Sequence, residues 1–355
     1  MTRVVVDARL SGNSGIGRYI DCLLREFELR HLDLDFELML APRTSRIGRT
    51  ARIHRIGLAP YSKLWQLVAP FQAPRAPVFW TPHWNHPLLA QPGAINVVTI
   101  HDVMPLRFSD LYPPMERAIF RQFIKVAVRR RYQIITVSEF SAQELLYFFP
   151  TANVEVIKNG IVQLPRGAAD VRSPFFLCVG NVKPHKNLPF TIRSFRLAKA
   201  RGLIDPSVIL VVAGAIAGLR TVDRALLSAE YTGADIHFVV SPTDEQLGAL
   251  YSNCIGLIAA SLYEGFGLPL VEAMSCNKTI VCSDIPAFRE VAGNQGHYFD
   301  PHDSEHFASA LADAYAGRDQ PPDYTTAMKI FSWAASADAH ITLFTRLAQQ
   351  AESKS

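Results

Sequence analysis

No apolar run in this 355-residue chain is long enough to span a bilayer, so no transmembrane helix is expected. The five cysteines, Cys22, Cys178, Cys254, Cys276 and Cys282, form no C-x-x-C pair and no zinc spacing. Scattered in mostly apolar surroundings, they read as reduced core thiols of a cytoplasmic protein. No secretory signal is expected, because Arg3-Val4-Val5-Val6-Asp7 near the N-terminus reads as a strand at once. The G-x-G-x-x-G order of a nicotinamide loop is missing from the first glycine cluster. No acidic residue ends the second expected strand, which runs into Ala41-Pro42, so a dinucleotide site is not expected. Charged residues are few, 19% against 49% hydrophobic, which excludes disorder as a general state.

The charge that is present is uneven. Residues 1–170 hold 21 Lys+Arg and 14 Asp+Glu, a balance of +7, and the remainder holds 15 and 18, a balance of −3. Arg43, Arg46, Arg49, Arg52 and Arg55 follow one another without an acid, and the apolar and aromatic stretch around Trp65 comes next. Arg129-Arg130-Arg131 is a second basic run. Two readings fit: solvated loop and helix faces, or a surface that rests on anionic lipid or holds an acidic, lipid-linked acceptor. Nucleic acid is not expected as a partner, because no binding module accompanies the arginines.

Apolar runs and amphipathic segments alternate along the whole chain. Strands are expected at Val4–Asp7, Phe36–Leu40, Val78–Trp80, Ile95–Ile100, Ile134–Val137 and Val154–Ile157, with helices at Gly17–Phe27, Pro113–Arg131 and Ser141–Phe149. A stretch rich in proline and glycine, Gly160 to Pro174, reads as a linker. The pattern then restarts, with strands at Phe175–Val179, Val208–Ala213, Ile236–Val239, Ile255–Ala259, Thr279–Cys282 and His297–Phe299, and a helix at Leu188–Ala200. Such alternation argues for two α/β doubly wound, Rossmann-like domains, with ligands at the carboxyl ends of the strands. The expected bounds are 1–165 and 172–330. A last helix from about Ser332 to Gln350 lies in a terminal segment, 331–355.

The most telling segment is Glu264-Gly265-Phe266-Gly267-Leu268-Pro269-Leu270-Val271-Glu272, with two glutamates eight positions apart. Gly265, Gly267 and Pro269 argue against one continuous helix over it. The better reading is a strand, a glycine loop, and a helix starting near Leu268 or Pro269, where proline suits the first turn. Backbone N–H groups around residues 266 to 270 would then form an anion cradle, with Glu264 on the loop and Glu272 in the first or second turn. A phosphate cradle beside two carboxylates suits a ligand with a diphosphate and several hydroxyls.

With Ser241-Pro242-Thr243-Asp244-Glu245-Gln246-Leu247, Leu250-Tyr251, Glu272-Ala273-Met274 and Ser283-Asp284-Ile285-Pro286, this segment resembles glycosyltransferase family 4. The resemblance extends to Gly15-Ile16-Gly17-Arg18-Tyr19, Thr99-Ile100-His101-Asp102 with Pro105, and Val179-Gly180 through Lys186-Asn187. It implies a GT-B fold, two Rossmann-like domains facing each other across a cleft, with the last helix able to cross back to the first domain. It implies a retaining glycosyltransferase that moves a hexose from a nucleotide sugar to a glycan or lipid-linked acceptor. GDP-mannose is the expected donor and cell-surface polysaccharide synthesis the expected setting, in the cytoplasm or on the inner membrane face. No cofactor and no metal are expected.

By the same resemblance, Glu264 and His101 contact the donor sugar, with Asp102 orienting the His101 ring. Glu272 binds the ribose, and Gly265, Phe266, Gly267 and Leu268 approach the diphosphate. Lys186 is the diphosphate cation, with Lys183 as an unusual extra. The family's arginine is replaced by Asn181 or His185, depending on its place. Gly15 or Gly17 approaches the donor and acceptor. His83 and His86 are left with two readings, the acceptor side or a structural loop. Asp33-Leu34-Asp35 matches the D-x-D pattern of metal-nucleotide sites on another fold, but lies just before a strand, far along the chain from the other motifs. It reads as solvated. A nucleotide-sugar epimerase on the same fold and a silent nucleotide- or glycan-binding protein are the rival functions.

Overall fold

A computed structural model of the chain describes residues 2–12, 14–30, 34–42, 44, 51–214 and 233–353. Two compact units are present, one made of Met1–Gly160 with Phe331–Ser355, the other of Ile161–Ile330.

The first unit holds a seven-stranded, wholly parallel sheet. Its strands are β1 (Thr2–Asp7), β2 (Leu34–Leu40), β3 (Arg52–Arg55), β4 (Val78–Thr81), β5 (Ile95–Thr99), β6 (Gln133–Thr136) and β7 (Asn153–Val156). They lie in the order β3-β2-β1-β4-β5-β6-β7. Val4, Val5 and Val6 are all fully buried, as expected where helices cover both faces of a parallel sheet. Helices Ser14–Glu28, Lys63–Gln72, Met104–Arg107, Pro114–Arg129 and Glu139–Phe148 belong to this unit, as does Trp333–Glu352 at the end of the chain.

That last helix starts where Ser332 accepts the Ala335 N–H as its cap and packs against helix Ser14–Glu28. The His340 ring is fully buried between them. Its Nδ1 lies 2.8 Å from the Ser336 carbonyl, which can only accept, so Nδ1 carries the proton and Nε2 accepts the Tyr19 hydroxyl at 2.9 Å. Arg30 adds an ion pair to Asp338 at 2.7 Å.

Two elements here differ from the sequence expectation. The sequence shows β3 only as part of a basic run, because Arg52-Ile53-His54-Arg55 has a single apolar residue. It pairs along β2 as an edge strand, where one covered side chain is enough. The buried carboxylate of Glu37 holds it, with His54 Nε2 at 2.7 Å and Arg52 at 3.4 Å, while Arg55 donates to the carbonyls of Ala41 and Thr44. Arg43, Arg46 and Arg49 of the same run lie outside the described residues, as does Asp33; Asp35 is inside β2. Helix Lys63–Gln72 was also unforeseen, since Pro70 lies within it.

The second unit repeats the plan with β8 (Phe175–Val179), β9 (Ile209–Gly214), β10 (Ile236–Val240), β11 (Gly256–Ala259), β12 (Thr279–Ser283) and β13 (Gly296–Phe299). All are parallel, in the order β10-β9-β8-β11-β12-β13. Helix Leu188–Ala200 follows β8, and helix Asp244–Asn253 opens with a full capping box between Thr243 and Gln246. Residues 161–174 carry no helix or strand and are tied to this unit, for example by Asn253 Nδ2 to the Gly167 carbonyl at 2.7 Å.

In both units the first six strands follow the doubly wound order. The direction of winding reverses between β1 and β4 in the first unit and between β8 and β11 in the second. Loops leaving the carboxyl ends of such a pair diverge and open a crevice suited to a ligand.

Candidate active site

The crevice between β8 and β11 is where the second unit concentrates its polar chemistry. After β8 the chain turns at Gly180 and enters a short 3-10 turn, Pro184–Lys186. After β11 comes Ala260 and then the loop 261–267. The two loops are joined by the Leu262 N–H, which donates to the His185 carbonyl at 2.8 Å. This brings Lys186 Nζ to 2.5 Å from Glu264 Oε1, and the same oxygen accepts the Ser261 hydroxyl at 2.7 Å. Gly180, Asn181, Lys186, Ser261, Glu264 and Pro269 line one small pocket.

The electrostatics of that pocket favour a charged carboxylate. Burial opposes ionisation of Glu264, whose side chain is only 15% exposed. The Lys186 ammonium, His185 and the Ser261 hydroxyl outweigh it and hold the carboxyl below its ordinary value. His185 is pushed down to about 4, chiefly by burial, so it is neutral near pH 7 and does not replace a lost arginine as a cation. Asn181 is exposed and lines the pocket. Lys183 is half-buried, is not among the residues lining this pocket, and pairs with no carboxylate among the described residues.

Helix Leu268–Ser275 starts as its sequence suggests, with Pro269 in the first turn and Gly267 as N-cap. Gly267 has φ +122°, and a Cβ there would meet the Phe288 ring at 3.1 Å, so only glycine fits without strain. Gly265 and Phe266 complete the loop, with Phe266 buried. Glu272 is buried one turn on, and its Oε2 accepts the Tyr251 hydroxyl at 2.7 Å. Burial, and then the Glu272 charge, pushes the Tyr251 phenol far above its ordinary value, so it remains a donor. Sequence reasoning assigned no role to Tyr251 or Ser261. The spacing Ser261-x-x-Glu264 was the available signal for the latter; nothing local pairs Tyr251 with Glu272.

In the first unit His101 follows β5, as expected, but Asp102 does not orient its ring. The ring's hydrogen bond goes from Nε2 to the Pro82 carbonyl at 3.1 Å, while Asp102 accepts the Met104 N–H at 2.9 Å and starts helix Met104–Arg107. The carbonyl fixes the tautomer with the proton on Nε2, leaving Nδ1 as an acceptor. Burial lowers the His101 pKa to about 4. Tyr19 stands edge-on to the ring, with centroids 4.9 Å apart.

Gly15 and Gly17 lie inside helix Ser14–Glu28 rather than in a loop; the left-handed residue nearby is Gly12, φ +76°. A Cβ on Gly17 would strike the Leu10 carbonyl at 2.6 Å, so this glycine serves the chain's own turn. A Cβ on Gly15 would meet nothing within 4 Å. His83 and His86 are buried: Nδ1 of His83 accepts the Asn85 N–H at 3.1 Å, and the two ring nitrogens of His86 lie 2.7 and 3.0 Å from the carbonyls of Pro87 and Phe123, to one of which a neutral ring donates. His86 is therefore a structural loop residue. Trp65 is fully buried, with the Arg9 guanidinium 3.7 Å above its ring. Among the described residues, no three His, Cys, Asp or Glu side chains are grouped so as to hold a metal ion.

Comparison with known proteins agrees with this architecture. The Glycosyltransferase Family 4 model matches residues 14–162, and the model for glycosyl transferases group 1 matches residues 163–329. The O-antigen chain mannosyltransferase RfbU of Salmonella typhimurium is 26% identical over 269 residues, 75% of this chain and 73% of that protein. The serotype-specific mannosyltransferase WbdA of Escherichia coli is 28% identical over 279 residues, 72% of this chain but 34% of that longer protein. In fold, the chain is similar to sucrose-phosphate synthase from Thermosynechococcus elongatus, with a TM-score of 0.76 at 16% identity over 98% of this chain and 99% of the other. With a Glycosyltransferase Family 4 domain followed by a glycosyl transferases group 1 domain, and two Rossmann-like sheets of the same strand order, this chain is a glycosyltransferase of the GT-B fold.

Proposed function

We propose that the protein is a retaining, metal-independent mannosyltransferase that uses GDP-mannose. Its acceptor is a hydroxyl of a glycan or lipid-linked oligosaccharide in cell-surface polysaccharide synthesis, and it works in the cytoplasm or at the inner membrane face. The observation that carries the reading is the Lys186–Glu264–Ser261 cluster at the point where the second sheet reverses its winding. Lys186 is a point charge for a diphosphate, aided by the start of helix Leu268–Ser275. The Glu264 carboxylate, held ionised, accepts sugar hydroxyls. Glu272, braced by Tyr251, accepts ribose hydroxyls. His101, neutral and with its proton on Nε2, offers Nδ1 as an acceptor for a sugar hydroxyl. Mannose as the sugar is supported by the mannosyltransferase relatives.

In the reaction the bond from the anomeric carbon to the diphosphate oxygen breaks and a bond to the acceptor oxygen forms. The transition state has oxocarbenium character, as in other glycosyl transfers. The fixed charge of Lys186 stabilises the leaving diphosphate without rearranging. Two routes give retention: displacement on one face, with the acceptor proton passing to the departing phosphate, or two successive displacements. Early-time proton NMR of the product from a donor of known configuration is the test, with retention expected and inversion overturning the mechanism. Chelator is expected to leave transfer unchanged. An epimerised nucleotide sugar formed without acceptor would establish the rival isomerase reading.

A further inference from the structure

The acid-free part of the first unit presents an apolar helix face to solvent. Leu64, Leu67 and Phe71 of helix Lys63–Gln72 are 55%, 54% and 82% exposed, and Tyr61 just before the helix is 55% exposed. Residues at i, i+3 and i+7 share one side of a helix, within about one sixth of a turn of each other. The opposite side, Trp65, Gln66 and Ala69, is buried against the sheet. The helix is thus anchored by its inner face and left with three large apolar side chains pointing outward. Single exposed leucines are ordinary, but an aligned set needs an occupant.

The charge around this face decides which occupant. Between Glu37 and Asp102 the sequence contains no acidic residue, while Arg43, Arg46, Arg49, Arg52, Arg55, Lys63 and Arg75 all fall there. Of those described, Arg52, Arg55, Lys63 and Arg75 are exposed, with Lys63 in the first turn of the helix and Arg75 just past its end. Outward apolar side chains flanked by cations, with no acid on the segment, fit an anionic bilayer: the hydrocarbon groups enter the interface and the cations meet the headgroups.

We propose that the outer face of helix Lys63–Gln72, through Leu64, Leu67 and Phe71, docks the protein on an anionic lipid surface. The inference deepens the inner-membrane part of the proposed function. Of the basic run and the apolar stretch around Trp65, for which the sequence left a lipid surface as one of two readings, it assigns the anchor to the side chains that are exposed. Trp65 itself is core, and Arg52 and Arg55 are partly spent on Glu37 and on loop carbonyls. The cations attract the protein to the surface; the apolar face holds it there.

Co-sedimentation of the full chain with vesicles tests this without donor or acceptor, so its result is separate from that of the transfer assay. Binding is expected to vesicles of phosphatidylcholine with about one third phosphatidylglycerol, and to be at least tenfold weaker with phosphatidylcholine alone. Rising salt should weaken it by shielding the attraction. Leu67→Glu/Phe71→Glu should lose at least tenfold in binding with an unchanged melting temperature, and Phe71→Ser alone should show a smaller loss. Failure to bind the anionic vesicles, or wild-type binding by the doubly substituted, folded protein, overturns the proposal. A dimer in solution that Leu67→Glu/Phe71→Glu splits into monomers overturns it in favour of a second copy of the chain as the occupant.

Discussion

Lys186 Nζ and Glu264 Oε1 lie 2.5 Å apart, so the side chains proposed for the donor's diphosphate and for its sugar hold each other. The pair spans the two loops of the winding reversal, and the Lys186 ammonium helps to hold the Glu264 carboxyl ionised. Lys186→Ala should therefore do two things. It should weaken a nucleoside diphosphate far more than the uncharged nucleoside, by at least tenfold more in titration calorimetry. It should also raise the Glu264 pKa, because burial then acts with less opposition. The acid limb of activity should move to higher pH. In the wild type the folded-state pKa is depressed. The contribution of the pair to stability is thus complete above the ordinary value near 4.5 and is lost as pH falls through the lower, folded value.

Glu264→Gln and Glu272→Gln should separate transfer from binding. The first should cut turnover strongly with nucleotide affinity nearly intact. The second should mainly weaken nucleotide binding, by about 1–3 kcal/mol for lost charge-assisted hydrogen bonds. Tyr251→Phe, which removes the hydroxyl on Glu272 Oε2, should follow the second pattern at smaller size. Equal effects of both glutamate changes on diphosphate affinity would contradict the division of roles.

The buried histidines predict an acid-sensitive fold. His83, His101, His185 and His340 are each lowered to about 4, mainly by burial, from an ordinary value of 6.5. The unfolded chain binds protons at these sites before the folded one does. Stability should be full above pH 6.5 and decline as pH falls from there toward 4. Denaturant midpoints across that range check the sign. Nitrogen-resolved NMR of His101 should show the neutral ring protonated on Nε2 near pH 7, and an imidazolium there would contradict the proposed acceptor role of Nδ1.

Asp7 and Arg9 form a fully buried bidentate pair at the end of β1, with Arg9 Nε on Oδ1 at 2.7 Å and the second guanidinium nitrogen on Oδ2 at 2.6 Å. Arg9→Leu should strand the buried carboxylate and cost about 3–5 kcal/mol in urea unfolding. Asp7→Asn/Arg9→Leu should recover part of that loss, because no lone charge then remains buried. A loss from Arg9→Leu below about 1 kcal/mol would show that the carboxylate is not confined as the structure has it.

The elements with buried apolar runs were legible in the sequence by themselves. Strands β1, β8 and β12 and helix Leu188–Ala200 follow from continuous hydrophobic stretches and helical spacing, which are properties of neighbours in the chain. The loop from Glu264 to Glu272 was legible too, because Gly267 and Pro269 fix the start of a helix through local backbone geometry. Only the tertiary structure decided the rest. β3 exists because β2 offers it an edge and Glu37 a counter-charge. The meeting of Lys186 with Glu264, 78 positions away, depends on the winding order of a whole sheet, as does that of Tyr251 with Glu272 across two helices. Asp102 faces a helix N-terminus instead of its neighbour's ring because Met104 presents an N–H and Pro82 a carbonyl. Adjacency in sequence sets which groups are near in the chain; burial and hydrogen-bond satisfaction in the folded unit decide which partner each one takes.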